Sequence, residues 1–151
     1  MLSYIKQKIK DRFDMKTYNV GILQDQAYRA LKKQTNLILA DYNITSFDWA
    51  ILGLLFESSA GINAIDLAEE IGVSQAFISK VLKRLKSIKY IEIKKGEDAR
   101  YKKIYLSELG MSKVLEIEPM LKKGMRPLIK GVSVTDLYSY INVLKKIAEN
   151  S

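Results

Sequence analysis

The chain of 151 residues predicts a mainly α fold with a small β-hairpin wing: a winged helix-turn-helix with N- and C-terminal dimerisation helices. Three observations lead there. Residues 67–107 read as helix, turn, helix and hairpin in that order, with Gly72 at the corner and Gly96–Glu97–Asp98 in the hairpin turn. Charge collects on the second half of that module. Residues 74–106 hold ten Lys/Arg and three Asp/Glu, a net of +7, against −1 for residues 1–73 and +2 for residues 107–151. Such a field attracts polyanions before any specific contact forms. The third observation is apolar helical spacing in residues 18–40 and 135–149, more than one small winged-helix core absorbs, which points to a homodimer.

Composition narrows the chemistry. Apolar residues make up 48% of the chain, enough for a core. Cysteine and histidine are both absent. That removes disulfides, thiol redox sensing, Cys- or His-ligated metal and the commonest general base. No Ser-His or Cys-His pair, phosphate loop or paired-carboxylate cluster supports an enzyme, and no cofactor is expected. The start, MLSYIKQKIK, never runs apolar for more than two residues. No stretch approaches the roughly 18 apolar residues of a membrane span. A soluble, cytoplasmic protein with no membrane partner is expected.

The elements follow in order. Leu2, Ile5, Ile9 and Phe13 lie at helical spacing among lysines. They read as a basic amphipathic helix packed on the rest of the molecule, the alternative being a membrane-surface or DNA-backbone arm. Residues 18–40 form a longer helix through Val20, Leu23, Ala27, Leu31, Leu37 and Ile38, ended by Asp41–Tyr42–Asn43. Thr45, with Asp48 three residues on, caps a helix carrying Trp49, Ile51, Leu52, Leu54, Leu55 and Phe56, apolar nearly all round and so buried. Asn63 caps the next helix and Gly72 ends it. Ser74 caps the following one, which turns Ile78, Val81, Leu82 and Leu85 inward. Residues 90–94 and 101–106 alternate as strands. Ser107 caps a helix that Pro119 should kink or interrupt. Residues 124–132 read as a connector, and the last helix starts near Thr135.

In a helix-turn-helix the second helix lies in the major groove while the first braces it. Ala68, Gly72 and Ile78 supply the small residue, the corner and the anchor this needs. With Ile78, Leu82 and Leu85 inward, Ser74, Gln75, Ala76, Ser79 and Lys80 face out. Gln75 can pair bidentately with adenine, Ala76 can touch a thymine methyl, Ser79 suits several base edges, and Lys80 and Lys83 suit guanine or phosphate. Arg84 completes this DNA-facing set. Phe77 reads as core. On the wing, Lys94, Lys95, Arg100, Lys102 and Lys103 crowd one hairpin, and an arginine at such a tip can enter the minor groove. Asp98 can hold and aim Arg100 by a bidentate pair. The alternative is a turn that simply favours aspartate.

This ordered set resembles the MarR family of bacterial and archaeal winged-helix transcription regulators over about residues 44–110. Ile44-Thr45 followed by Trp49 to Leu55, Asn63 to Ala68, Val73-Ser74 through Leu85, and Asp98-Ala99-Arg100 followed by Leu106, Ser107 and Gly110 carry the likeness. Three positions depart from the family pattern: Lys89 stands for the glycine before the first wing strand, Ala99 for the first wing arginine, and Ile93 for an arginine in the first strand. The resemblance implies a homodimer with interleaved terminal helices (residues 1–43 and 107–151) around a DNA-binding region (residues 44–106). It implies a repressor or activator on pseudo-palindromic double-stranded DNA, constitutive or responsive to a small molecule. The residues offered for an effector pocket are Tyr28, Tyr42, Phe47, Trp49 and Phe56, residue types that more often form plain core. The competing reading is a winged-helix protein-interaction module of transcription or replication machinery with weak DNA binding.

Overall fold

The computed structural model describes residues 1–3, 16–96, 98 and 101–151. Most of the basic segment read at residues 2–13 lies outside the described residues, as do Glu97, Ala99 and Arg100 of the wing. Helix α1, Thr17–Leu39, runs into a 3-10 turn at Ala40–Tyr42. Asn43 closes that corner in the left-handed region, φ 55°, a conformation asparagine tolerates better than most residues. Helix α2, Ser46–Glu57, opens on a reciprocal capping box. The Asp48 backbone N–H donates to Thr45 Oγ1 at 3.2 Å, and the Thr45 N–H donates to Asp48 Oδ2 at 2.6 Å. Helix α3, Ala64–Ile71, is capped by Asn63 and ends at Gly72, φ 77°. Helix α4, Gln75–Ser87, is capped by Ser74.

Strands β1, Ile91–Lys95, and β2, Lys102–Leu106, pair antiparallel with Ile91 opposite Leu106 and Lys95 opposite Lys102. The expected strands began one residue earlier. Tyr90 and Tyr101 drop out because their backbones are used elsewhere. The Tyr90 N–H donates to Leu85 and its carbonyl accepts from Ser107, while Tyr101 closes the turn with Gly96 and Asp98. On its other edge β2 gains a partner that sequence reading missed. Ile62 and Ile104 exchange backbone hydrogen bonds of 3.1 and 2.9 Å. Gly61 makes this approach feasible, since a Cβ there would stand 2.7 Å from the Tyr105 ring.

Helix α5, Glu108–Met125, is capped by Ser107, and a 3-10 turn at Arg126–Ile129 leads towards helix α6, Val134–Asn150. The helix continues through Pro119 rather than breaking there. Proline deprives the Leu115 carbonyl of its helical donor, but Leu115 is exposed and water can replace the lost bond. Part of the expected connector, residues 124–132, is therefore helical.

One core joins the elements. Ile51, Leu52 and Leu55 of α2, Leu67 of α3, Ile78, Leu82 and Leu85 of α4, Ile91 and Ile104 of the sheet, Val114, Ile117 and Leu121 of α5 and Leu39 of α1 form a single buried cluster. Helix α1 lies along α5, and they close up at Gly124, where a Cβ would stand 2.6 Å from Ile38 Cδ1. Helix α6 has no buried residue. Among the described residues no helix is long and apolar enough to cross a membrane.

Two backbone positions around Tyr90 make opposite demands. The first turn of α5 lies so close to the Tyr90 carbonyl that a Cβ on Gly110 would collide with it. Lys89, by contrast, holds φ 64° with a side chain attached. Gly110→Ala should destabilise the protein by about 1–3 kcal/mol through overpacking, and Lys89→Gly should stabilise it by about 0.5–1 kcal/mol by relieving the left-handed penalty. Urea denaturation midpoints moving in opposite directions would bear this out.

Candidate nucleic-acid interface

Helix α4 buries Ile78, Val81, Leu82 and Leu85. That spacing of three and four residues marks one face of a helix. The opposite side carries Ala76, Ser79, Lys80 and Lys83, while Gln75 lies above the buried stripe at the open first turn; all five are exposed. Among the described residues none of the Gln75, Ser79, Lys80 and Lys83 side chains has an intramolecular polar partner. Ser74 is already engaged, its Oγ accepting from the Phe77 N–H at 3.2 Å. The cap brings backbone amides and the positive end of the helix to the same end of α4 as Gln75, a setting that favours anions.

Arg84 is placed differently from the other five. Its guanidinium forms an ion pair with Asp48 of α2 and donates to the Asn43 carbonyl at 3.3 Å. Phe77 also departs from expectation. It is 39% exposed and meets Phe47 edge to face, ring centroids 5.0 Å apart. The residue sits on the flank of α4 between the buried stripe and the outer face, so only part of its ring is covered.

The wing concentrates like charge. Lys94 stands opposite Lys103, and Lys95 opposite Lys102. In an antiparallel pair, opposed residues share a face and alternate faces along the strand, so each side of the ribbon carries one lysine pair. Relief is partial. Lys94 lies 3.5 Å from Glu92 and 5.2 Å from the Tyr105 ring centroid. Lys103 reaches the Ala60 carbonyl at 3.4 Å. Lys95 and Lys102 have no partner among the described residues. Asp98 accepts the Tyr101 N–H through its carbonyl at 2.9 Å, while Arg100, which its carboxylate was expected to aim, lies outside the described residues.

The five residues offered for an effector pocket do not converge. Tyr28 is 59% exposed on α1. Phe47 borders an open cleft of about 580 Å³ with Lys32, Asn36, Phe77, Lys80 and Arg84. Trp49 and Phe56 border a separate cavity of about 410 Å³ against α5. Tyr42 donates to Glu116 at 3.2 Å, and Lys113 donates to the other oxygen of Glu116 at 3.0 Å. Desolvation and then the bond to Glu116 hold the Tyr42 hydroxyl above its usual range. The bond from Lys113 holds Glu116 below the usual carboxylate range, and the same bond raises Lys113. At neutral pH all three keep the protonation states that make these contacts, which tie the α1–α2 corner to α5. Sequence spacing could group aromatic residues but not tell which side of α2 each would occupy.

No family model matches the chain. The uncharacterised HTH-type transcriptional regulator YwaE of Bacillus subtilis (strain 168) is 24% identical over 155 residues, spanning 99% of this chain and 88% of its own length. Among solved structures, MepR of S. aureus in its DNA complex matches with a TM-score of 0.76 and 21% identity, covering 91% of this chain and all of its own. A MarR-family transcriptional regulator from Rhodococcus sp. RHA1 gives 0.80 at 16% identity, over 92% of this chain and 99% of its own. CouR from Rhodococcus jostii RHA1, bound to p-coumaroyl-CoA, gives 0.78 at 18%, over 85% and 91%. The chain has the winged-helix fold of the MarR-family regulators.

Proposed function

We propose that the protein is a MarR-family transcription regulator that binds double-stranded DNA as a homodimer. Helix α4 enters the major groove, and the β1–β2 ribbon tracks phosphates and the neighbouring minor groove. The observation that carries this reading is the outer face of α4, where Gln75, Ser79, Lys80 and Lys83 are exposed and without internal partners. The paired lysines of the wing support it. Like charges directly opposite weaken a ribbon, and a polyanion removes that cost. Arg100, in the segment joining the strands, completes the wing contact, with Asp98 beside it in sequence. The DNA complex of MepR lends the docking mode plausibility. Repression is the most direct outcome, because an occupied duplex is closed to polymerase.

Self-association has its own support. Val134, Tyr138, Ile141 and Leu144 on α6 and Tyr18 and Ile22 on α1 are exposed apolar side chains at helical spacing. A two-fold axis covers such stripes with one self-complementary contact. It would also place two copies of α4 about 34 Å apart, one turn of B-DNA, so the site is an inverted repeat. In this division residues 44–106 read DNA while residues 1–43 and 107–151 hold the dimer. A small-molecule effector would occupy the cleft beside Phe47 and Lys80. CouR was solved with p-coumaroyl-CoA, which supports small-molecule control in this fold.

Selection of duplexes from a random library tests the reading directly. The recovered sites should be inverted repeats, and Gln75→Ala should relax preference at one position per half-site, by about 1–3 kcal/mol of base discrimination. An unchanged preference profile would remove Gln75 from the interface. Lys103→Thr should raise thermal stability slightly, by up to about 1 kcal/mol, while weakening DNA binding and lowering the salt slope by about one. Sedimentation should find a dimer, with Ile141→Asp shifting it to monomer; a wild-type monomer at micromolar concentration would end the two-fold reading.

A further inference from the structure

We propose that Asp48 and Arg84 form a positioning pair that fixes the rotation of the recognition helix against the α1–α2 corner, and that Arg84 is not a DNA contact. This rests on the DNA-binding reading above. Asp48 is the one fully buried charged residue among those described. Its Oδ2 accepts from the Thr45 N–H at 2.6 Å and from Thr45 Oγ1 at 3.0 Å, and meets Arg84 Nη2. Its Oδ1 has no hydrogen-bond partner. Arg84 Nη1 reaches on to the carbonyl of Asn43, the left-handed residue that closes the corner after α1. One side chain from the third turn of α4 thus touches both the cap of α2 and the end of α1.

A helix cap alone does not explain this arrangement. Capping carboxylates work at the surface, where hydration keeps them inexpensive. Burying a charge costs several kcal/mol, and an apolar pair of similar volume often serves stability as well or better. What an apolar pair lacks is direction. A guanidinium is a rigid planar fork whose hydrogen bonds fix angle as well as distance. Angle matters here because the reading side chains stand at the rim of the helix. At a radius of about 5–6 Å, a rotation of about 20° moves that rim by about 2 Å, enough to lose a base contact. The aliphatic stripe of α4 sets the coarse rotation, and the ion pair sets the remainder. Arg84 is 40% exposed on its outer side, yet both contacts point it away from Gln75 and Ser79.

The test uses the duplex that the wild-type protein recovers from a random library, and a scrambled duplex of the same composition. Asp48→Asn, Arg84→Gln, the double variant and the apolar pair Asp48→Leu/Arg84→Met are compared for affinity, salt slope and thermal midpoint. Each single change should lower the specific-to-scrambled ratio at least about tenfold, and the double should lose no more than the worse single, because both remove one interaction. Scrambled-duplex affinity and salt slope should be unchanged. The apolar pair should recover the thermal midpoint but not the ratio. A fall of about one in salt slope for Arg84→Gln would instead make Arg84 a phosphate contact. Additive losses, or an apolar pair with the wild-type ratio, would equally overturn the proposal. A wild-type protein that recovers no duplex would overturn the DNA-binding reading, and this inference with it.

Discussion

Burial of one face of α4 is the constraint from which the candidate interface follows. Ile78, Val81, Leu82 and Leu85 are locked into the core shared by α2, α3 and the sheet. Each aliphatic side chain buried is worth about 1.5–3 kcal/mol. Turning the helix to present a different face would forfeit several of them together, far more than any surface contact returns. Ser79, Lys80 and Lys83 are therefore outward because of the core, whatever they bind, and Gln75 is exposed because the helix begins there. The same packing joins α4 to β1, so the polar helix face and the lysine-rich ribbon belong to one rigid unit.

Several positions depart from what stability alone would choose, and they cluster around that unit. Two lysine pairs face each other across a short ribbon, where alternating signs would hold it better. A carboxylate is fully buried with one oxygen unsatisfied. A lysine occupies a left-handed position next to the wing. Local rules broken together in one region are expected where a surface serves a function. The lysine pairs and the outer face of α4 both present exposed positive charge. Asp48 concerns geometry: it ties α4, which carries that face, to the cap of α2.

The legible part of the fold was the local part. Thr45, Asn63, Ser74 and Ser107 each cap a helix as their spacing implied, because a capping bond spans only three residues. Gly72 at the corner and the hairpin turn are local in the same sense. What sequence reading missed joins residues far apart. Ile62 pairs with Ile104, and Arg84 pairs with Asp48. By helical periodicity Arg84 lies on the flank it shares with Phe77, while Lys80 and Lys83 lie further round, but spacing does not say that this flank meets α2. Only the position of α2 beside α4 decides which one is drawn inward. Phe77 departs for the same reason: an apolar residue near the edge of a helical face is core or rim according to its neighbour. Pro119 shows the converse, a strong local breaker overruled because the bond it removes falls on the exposed side of α5.

The terminal helices carry the last step. A helix of 17 residues is marginal alone in water, and most helical stability in proteins comes from packing an apolar face. Helix α6 has such a face and no buried residue within its own chain. The exposed half of α1 is in the same condition. A partner that covers both must match both, and a second copy related by a two-fold axis does so without further design. On such a dimer the separation of the two copies of α4 is set by α1, α5 and α6 rather than by α4 itself. Whatever alters the meeting of α1 with α2 then alters that separation. That junction is where Asn43 turns the chain, where Tyr42 is tied to α5 through Glu116, and where Arg84 reaches back from α4.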